Sequence, residues 1–251
     1  MKLIINADDC GISPSVDNQI ELFINAGKIT STTVMANRED FAGARKLYEK
    51  YKDSISFGIH LNLTDGQPML NNESLVRSGH YIEKDGIQYY NLKNPQNRKL
   101  TDEQKRFIYL ELKEQIEKLI KTGIVISHID SHHHIHTDRN ILPIVVRLAK
   151  EYHINKIRGL RNYVPFSLNK ILRKGWYMYL HILYHDVEHT DCFTSFIDFY
   201  NNYNKGFTGK NSVLELECHP GHPSYEQETQ IIMTTDICKL TCSSLINYNE
   251  L

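Results

Sequence analysis

The sequence has no surplus of charge, no paired-cysteine pattern and no long apolar run. Its 29 basic residues nearly balance 30 acidic residues, which leaves a formal net charge of −1. Nucleic-acid and membrane-surface binders normally carry a basic surplus, so neither partner is expected. Five cysteines, an odd number without a CxxC pair, argue against a disulfide framework. No stretch is long and apolar enough to suggest a bilayer span.

The amino terminus lacks the pattern of a signal peptide. The apolar run after Met1 is too short for a signal h-region and leads directly into Asp8 and Asp9. We therefore expect a cytoplasmic protein. The length of 251 residues and the apolar share of 41% are compatible with one large α/β domain or two small domains.

Apolar, β-branched segments alternate with helix-like segments along the first quarter of the chain. This β-α-β-α-β order is typical of a parallel sheet with right-handed crossovers. Residues 64–100 interrupt the pattern with Asn, Gly, Pro and Tyr, which predicts an insertion after the third strand. No internal repeat or linker is visible. We predict one α/β domain over residues 1–251, folded as a barrel or distorted barrel.

The individual elements follow from periodicity and capping signals. We predict strands at residues 2–7, 28–35, 54–63, 124–129, 156–159 and 212–217. We predict helices at residues 14–26, 41–51, 101–121, 141–152 and 229–247. Residues 162–210 are rich in aromatic side chains and support no assignment.

Four polar clusters follow predicted strands at their carboxyl ends. They are Asn6-Ala-Asp8-Asp9, Gly58-Ile-His60, the segment from His128 to His136, and Glu217-Cys-His219-Pro-Gly. In parallel α/β folds, ligands and catalytic groups gather at this edge of the sheet. Four such clusters together predict a functional site there.

The adjacent Asp8 and Asp9 allow two interpretations. An isolated Asp-Asp pair is more often a loop or helix cap. Here the pair directly follows a predicted buried strand, where adjacent carboxylates repel unless a cation or a shared proton relieves them. A metal ion does so, with one carboxylate as its ligand and the other as a proton acceptor.

The histidine cluster is the most specific feature. Four of the thirteen histidines fall within five positions, at His132, His133, His134 and His136. A surface tract that binds metal adventitiously is the alternative, but this segment continues a predicted strand. If the strand continues, alternation places His128, Asp130 and His132 on one face. One carboxylate with two imidazoles would leave metal positions open for water and substrate.

Single residues at the other strand ends are less informative. His60 alone is more often a hydrogen-bonded structural residue than a ligand. His219, before Pro220 and Gly221, is either a turn residue or a general acid, since histidine titrates near neutrality. Cys218 lacks a Cys/His signature and is expected to pack in the core.

In their order, these motifs resemble the YdjC-like carbohydrate deacetylase family, which includes chitooligosaccharide deacetylases. The segment from Asn6 to Gly11 is similar to the family's opening NADDFG, with Cys10 in place of the usual aromatic residue. Ser31-Thr-Thr, Gly58-Ile-His-Leu-Asn-Leu-Thr, the histidine cluster and Glu217-Cys-His-Pro-Gly follow in family order. The resemblance covers about residues 1–221.

The resemblance implies a TIM-barrel-like fold, that is, a distorted β/α barrel. It also implies a hydrolase that removes acetyl groups from N-acetylated sugars or oligosaccharides. The implied metal ligands are Asp9, His60 and His132, with Asp8 as general base and His219 as acid or oxyanion partner. Further residues are expected to orient ligands or contact substrate: His128, Asp130, His134, His136 and Arg158.

One divalent metal ion is implied, but its identity stays open. The family usually carries Mg²⁺, whereas two imidazole ligands favour Zn²⁺, Co²⁺, Ni²⁺ or Mn²⁺. The expected partner is a small acetylated sugar or oligosaccharide, with no nucleic acid and no membrane. A homodimer stays open as the assembly.

Two other functions also stay open. The sequence has no GxSxG, P-loop, GxGxxG or HExxH motif. A metal-dependent phosphoesterase would need two metal ions and a nearby cation, for which Arg158 and Arg161 are the candidates. A sugar- or metal-binding module without catalysis would have lost the base or the acid, yet Asp8 and His219 are both present.

The insertion suggests a role in substrate binding. Tyr81, Tyr89 and Tyr90 fall within residues 64–100, directly after the strand that carries His60. Aromatic faces stack on pyranose rings, so we expect these tyrosines to line or cover a sugar cleft.

Overall fold

A computed structural model describes residues 1–91, 100–159, 161, 185, 187–203 and 213–251. Its strands are β1 (Lys2–Cys10), β2 (Ser31–Val34), β3 (Ser56–Leu61), β4 (Tyr81–Lys84), β5 (Ile87–Tyr90), β6 (Ile129–Ser131), β7 (Cys192–Ser195), β8 (Val213–Cys218) and β9 (Ser244–Leu245). Its helices are α1 (Pro14–Asn25), α2 (Phe41–Tyr51), α3 (Glu73–Arg77), α4 (Asp102–Lys121), α5 (Leu142–Glu151), α6 (Phe196–Asn202), α7 (Glu226–Thr234) and α8 (Ile237–Thr241). Residues 92–99 of the predicted insertion lie outside the described residues. So do residues 162–184, 186 and 204–210 of the aromatic-rich stretch and residue 212 of the predicted last strand.

Among the described residues, seven parallel strands form one curved sheet. Their order is β6-β3-β2-β1-β8-β7, with β9 beside the start of β1. Isolated parallel bridges join Ile157 to Ile129 on one edge strand and Arg161 to Phe193 on the other. Residues 156–159 and 161 thus contact both edges, and the sheet curves into the predicted distorted barrel. The strand predicted at residues 156–159 exists only as such bridges.

The two faces of the sheet differ in what they contact. Leu3 and Ile5 of β1 belong to the main apolar core, whereas Ile4 packs with Tyr248 in a separate small cluster. Successive residues of a strand point to opposite faces, so Asn6 shares the face of Ile4. Both faces of the strand are buried, as expected for a parallel sheet covered by helices. The inner face carries the polar residues described below.

Local capping explains where the long helices begin. Ser13 accepts a hydrogen bond from the Val16 N–H at the start of α1, and Pro14 occupies its first turn. Thr101 and Gln104 form a reciprocal capping box at the start of α4. The bounds of α2 coincide with the predicted helix. No helix in the described part of the chain combines the length and apolarity needed to cross a membrane.

The insertion builds its own small core. It contains α3 and the antiparallel hairpin β4-β5. The buried Glu111 of α4 anchors it by accepting hydrogen bonds from the N–H groups of Met69 and Leu70 and from the Tyr90 hydroxyl. Tyr81 and Tyr90 are only 1% and 6% exposed and pack edge to face. The prediction that these two rings face a sugar cleft is therefore wrong, because they fill the interior of the insertion.

The strand predicted at residues 124–129 begins later than expected. Gly123 takes a left-handed conformation after α4, and Val125 is 74% exposed. Hydrogen bonds to β3 start only at Ser127, whose N–H donates to the Phe57 carbonyl. The first residues of the apolar run therefore connect the helix to the sheet and do not belong to a strand.

The closing helix predicted over residues 229–247 is also wrong. The backbone of Thr235 is extended, and the Asp236 side chain caps a new helix, α8. Cys242 then takes a left-handed conformation and ends that helix. This break lets β9 return to pair with β1, and a sheet contact therefore overrides the helical pattern.

Candidate metal centre and active-site pocket

A pocket of about 820 Å³ opens at the carboxyl ends of the parallel strands. It brings together residues from all four polar clusters, including Asp8, Asp9, His60, His132, Glu217 and His219. Strand register explains this convergence, since parallel strands carry their carboxyl ends to one rim.

Asp9, His60 and His132 present ligand atoms to one another. These atoms all lie within 4.8 Å of each other. Asp9 Oδ1 is 3.2 Å from His60 Nε2 and 2.9 Å from His132 Nδ1. Asp9 Oδ1 is nevertheless a buried atom without a hydrogen bond of acceptable geometry among the described residues. A buried carboxylate oxygen that faces two ring nitrogens without bonding to them fits a shared cation between the three groups.

The electrostatics of Asp9 also fit a cation site. Burial raises the pKa of Asp9, but its interactions with His132 and His60 outweigh burial and hold the pKa well below the ordinary value. Asp9 is therefore ionised at neutral pH.

A β-bulge in β1 turns the side chains of Asp8 and Asp9 in different directions. The register with β2 runs from Ala7 opposite Thr32 to Cys10 opposite Val34, so β1 has one residue more than β2 over this stretch. Asp9 has a left-handed φ of 67°, which is unusual for a residue with a side chain. The bulge turns Asp9 toward the histidines at the rim, while Asp8 turns toward the barrel interior.

Asp130 fixes the orientation of His60. Its Oδ1 lies 2.7 Å from His60 Nδ1, and its Oδ2 accepts a hydrogen bond from the Thr33 hydroxyl. With Nδ1 held by Asp130, Nε2 is the ring nitrogen that faces Asp9. A carboxylate behind a histidine ligand sets the tautomer and the ring angle of that ligand.

Arg158 occupies the centre of the barrel interior and is fully buried. Its guanidinium donates hydrogen bonds to both oxygens of Asp8, at 2.6 and 2.8 Å, and lies 2.8 Å from Asp130 Oδ2. It also forms ion pairs with Glu215 Oε1 at 2.8 Å and Glu217 Oε2 at 3.5 Å. Burial raises the pKa of Asp8, but Arg158 outweighs burial and lowers that pKa far below the ordinary range. Arg158 therefore organises carboxylates and is inaccessible to a phosphate in the pocket.

A second group of potential ligands lies deeper, at Asp8, His60 and Asp130. Arg158 already forms ion pairs with both of these carboxylates. Arg158 thus already compensates part of their negative charge. The geometry supports one metal centre at the rim and gives no independent support for a second.

The other histidines of the cluster separate into two levels. His128 lies one layer deeper, stacked on Tyr248 at 3.5 Å, and does not line the pocket. Burial lowers the pKa of His128 well below its ordinary value, so its ring is neutral. His136 is buried against the Ser131 hydroxyl. His134 lines the pocket, with Nε2 3.4 Å from Glu217 Oε2.

His219 lies across the pocket at the end of β8. Its ring stacks on Tyr225 with centroids 4.3 Å apart. Burial lowers the pKa of His219, but Glu228 and nearby carboxylates outweigh burial and raise the pKa to about 9. His219 therefore carries a proton at neutral pH, the state that a general acid requires. Cys218, beside it in the chain, packs in the apolar core as expected.

The sequence interpretation missed some residues that reach the site. His133 lines the pocket, and its tilted ring packs on His132 with the centroids 4.0 Å apart. Its Nδ1 lies 2.9 Å from the Thr64 hydroxyl. Glu217 belongs to the Glu217-Cys-His219-Pro-Gly motif, but no role was predicted for it from the sequence. Tyr225 follows the last motif and carried no signal beyond its proximity to His219.

Comparison with known proteins agrees with this architecture. The family model described as YdjC-like protein matches residues 2–246. A carbohydrate deacetylase of Vibrio parahaemolyticus is 36% identical over 159 residues, 63% of this chain and 59% of that protein. A carbohydrate deacetylase of Halalkalibacterium halodurans is 32% identical over 225 residues, 88% of this chain and 86% of that protein.

A solved structure shares the fold. It comes from Enterococcus faecalis V583, and its description names cellobiose-phosphate cleavage. The TM-score is 0.75 at 23% identity, over 99% of this chain and 98% of that one. The likeness in fold therefore spans nearly the full length of both chains.

Proposed function

This chain belongs to the YdjC-like protein family, and on that premise we propose that it is a metal-dependent carbohydrate deacetylase. Its substrate would be a sugar or oligosaccharide that carries an N-acetyl group. The relatives named carbohydrate deacetylase support the substrate class. The single observation that carries the proposal is the convergence of Asp9, His60 and His132 in a pocket also lined by Asp8 and His219.

The donor set fits a divalent cation held by Asp9 Oδ1, His60 Nε2 and His132 Nδ1. One carboxylate and two imidazoles favour Zn²⁺, Co²⁺, Ni²⁺ or Mn²⁺ over Mg²⁺, which prefers oxygen. Three protein ligands leave positions for water and for the acetyl oxygen. When bound, the cation would acidify the attacking water and stabilise negative charge on the acetyl oxygen.

Asp8 would act as the general base. Its carboxylate is ionised at neutral pH and lines the same pocket as the ligands. Arg158 keeps it fixed in position through two hydrogen bonds. The low pKa of Asp8 makes it a weak base toward ordinary water, so it can accept a proton only from a water that is already acidified. Asp8 would take this proton as the water oxygen attacks the acetyl carbon.

His219 would act as the general acid. The C–N bond of the amide breaks with its electron pair on the sugar nitrogen, which takes a proton from His219. The products are acetate and a free sugar amine. The raised pKa of His219, about 9, keeps this proton available at neutral pH.

An assay of released amine and acetate on N-acetylated sugars, with each candidate metal added to metal-free protein, tests the proposal. We expect metal-dependent release of both products, and Asp9→Asn as control should release neither. Hydrolysis of phosphoesters without amide hydrolysis would overturn the proposal in favour of a phosphoesterase. Sugar binding without product under any metal would overturn it in favour of a binding module.

A further inference from the structure

Glu228 is a buried carboxylate beside His219 that has no role in the mechanism above. It lies in the first turn of α7 and is 3% exposed. Its Oε2 accepts a hydrogen bond from the backbone N–H of His219 at 2.8 Å and lies 3.8 Å from His219 Nδ1. A buried carboxylate is costly unless a charged partner compensates it. Within the described residues, His219 is the one cationic side chain in ion-pair contact with Glu228.

The orientation of the His219 ring follows from its two nitrogens. Nδ1 is buried on the side of Glu228 and makes no hydrogen bond within the described residues, and Glu228 Oε1 is also without one there. The ring lines the pocket, and Nε2 is the ring nitrogen that is not paired with Glu228. Nε2 is therefore the nitrogen available to substrate. Tyr225 covers one face of the ring and limits its rotation.

We propose that Glu228 is a positioning residue that pairs with His219 Nδ1 and directs the Nε2 proton toward the sugar nitrogen. The proposal rests on the deacetylase function above. The observed separation of 3.8 Å is longer than a hydrogen bond, and such contacts often shorten when substrate binds. Only a small rotation of the ring or of the carboxylate is needed to form it.

The two nitrogens of the His219 ring have different roles in the proton transfer. As the C–N bond breaks, its electron pair stays on nitrogen, which takes the proton from Nε2. The neutral imidazole keeps its Nδ1 proton toward Glu228, and Nε2 later regains a proton from water. Without Glu228, the neutral ring would lose its preference for the tautomer that leaves Nε2 free.

Several charged groups face His219, and Glu228 is the most direct. Asp8 and Asp9 approach from β1, Glu217 from β8 and Glu228 from α7. Burial lowers the pKa of His219, and Glu228 makes the largest contribution in the opposite direction. Partial burial and nearby carboxylates raise the pKa of the Tyr225 phenol above its ordinary value of 10.0, so this group adds no charge beside His219 at neutral pH.

NMR titration of the His219 ring in metal-free protein tests the pair directly. Glu228→Gln preserves the shape of the side chain and an oxygen for the His219 N–H but removes the charge. Glu226→Gln is the matched control, because Glu226 is an exposed acid in the same helical turn. His219→Gln identifies the resonance. We expect a midpoint near 9 for the wild type and the control, and a midpoint at least one pH unit lower, a tenfold change, for Glu228→Gln.

The pH profile of kcat provides the second measurement. Its alkaline limb should shift to lower pH by the same amount in Glu228→Gln, with little change in KM. An unchanged titration of His219 in folded Glu228→Gln would overturn the proposal. If Glu228→Gln does not fold, Glu228→Asp takes its place and should also lower the midpoint, since the charge lies farther from the ring. Should the wild type release no amine, the deacetylase function fails, and the titration still decides whether the pair exists.

Discussion

Both carboxylate oxygens of Asp8 bind the guanidinium of Arg158, with Oδ1 2.6 Å from Nη2 and Oδ2 2.8 Å from Nη1. The same Nη2 lies 2.8 Å from Asp130, which in turn holds His60. One buried arginine thus links the proposed base to the carboxylate behind a proposed metal ligand. Arg158 therefore helps to set the position of Asp8 relative to Asp130.

Removal of this arginine should destabilise the whole barrel. Arg158→Met would leave several buried carboxylates without their cation, and breaking a buried ion pair from one side costs about 3–5 kcal/mol. Chemical denaturation measures the loss in free energy of unfolding. Arg161→Met is the control, since Arg161 pairs with Asp198 at the pocket wall but is 41% exposed, and loss of such a pair costs under about 1 kcal/mol. Equal stability of the two variants would contradict the central role of Arg158.

Substitution of Asp8 and substitution of Asp9 should have different effects on metal binding and activity. Asp9→Asn should lose bound metal and activity together, because Asp9 faces the two histidines. Asp8→Asn should keep the metal and lose about 10²–10⁴-fold in kcat, the usual contribution of a general base. Metal content by elemental analysis and kcat of both variants decide the matter. An empty site in Asp8→Asn with a filled site in Asp9→Asn would reverse the two roles.

Chelation should abolish activity and leave the fold intact. The proposed ligands lie at the rim of the barrel, whereas the apolar core surrounds the sheet below them. Circular dichroism and thermal unfolding before and after chelator treatment, followed by readdition of metal, measure both effects. A cooperative loss of structure on chelation would show that the ion is structural and that its assignment to catalysis is wrong.

Asp17 should make the stability of the protein depend on pH near neutrality. Its Oδ1 accepts a hydrogen bond from the Gly11 N–H, and burial raises the pKa of Asp17 to about 7. The folded state therefore holds a proton that the unfolded state, with a pKa of 3.8, has already released. This stabilising contribution is complete below the unfolded value and is lost as the pH rises through about 7.

Asp17→Asn retains an oxygen for Gly11 and cannot ionise. We expect it to be more stable than the wild type at pH 8 and to lose that advantage at pH 4. Urea unfolding midpoints at both pH values provide the comparison. A constant difference between the two proteins over this range would show that Asp17 does not titrate as described.

The polar clusters could be located from sequence because each directly follows a strand that apolar patterning identifies. Parallel strands must carry their carboxyl ends to the same rim, so the sequence alone predicts that Asp9, His60 and His132 lie together. Their roles as ligands came from the family resemblance and stay a prediction. The sequence did not reveal how deep in the barrel each histidine lies. His128 was grouped with the site, yet it stacks on Tyr248, a residue from the far end of the chain.

Tyr81 and Tyr90 of the insertion illustrate the opposite case. Their position in the sequence just after the strand that carries His60 suggested a sugar-binding surface. The Tyr90 hydroxyl instead donates a hydrogen bond to the buried Glu111. A small insertion needs an interior of its own, and large aromatic rings supply it. Sequence composition does not reveal which side of a hairpin is buried.

The sequence by itself determined the alternation of strands and helices, the edge of the sheet where chemistry gathers and the residue types found there. These depend on local periodicity and capping, which act over a few neighbouring residues. Only the tertiary structure decided that β1 bulges at Asp9, that Arg158 lies among four carboxylates and that Glu228 faces His219. The contacts of Arg158 with Asp8 and Glu215 join residues distant in sequence, whereas Glu228 and His219 lie nine residues apart across a turn. Their energies depend on burial and charge compensation, which exist only after the barrel has formed.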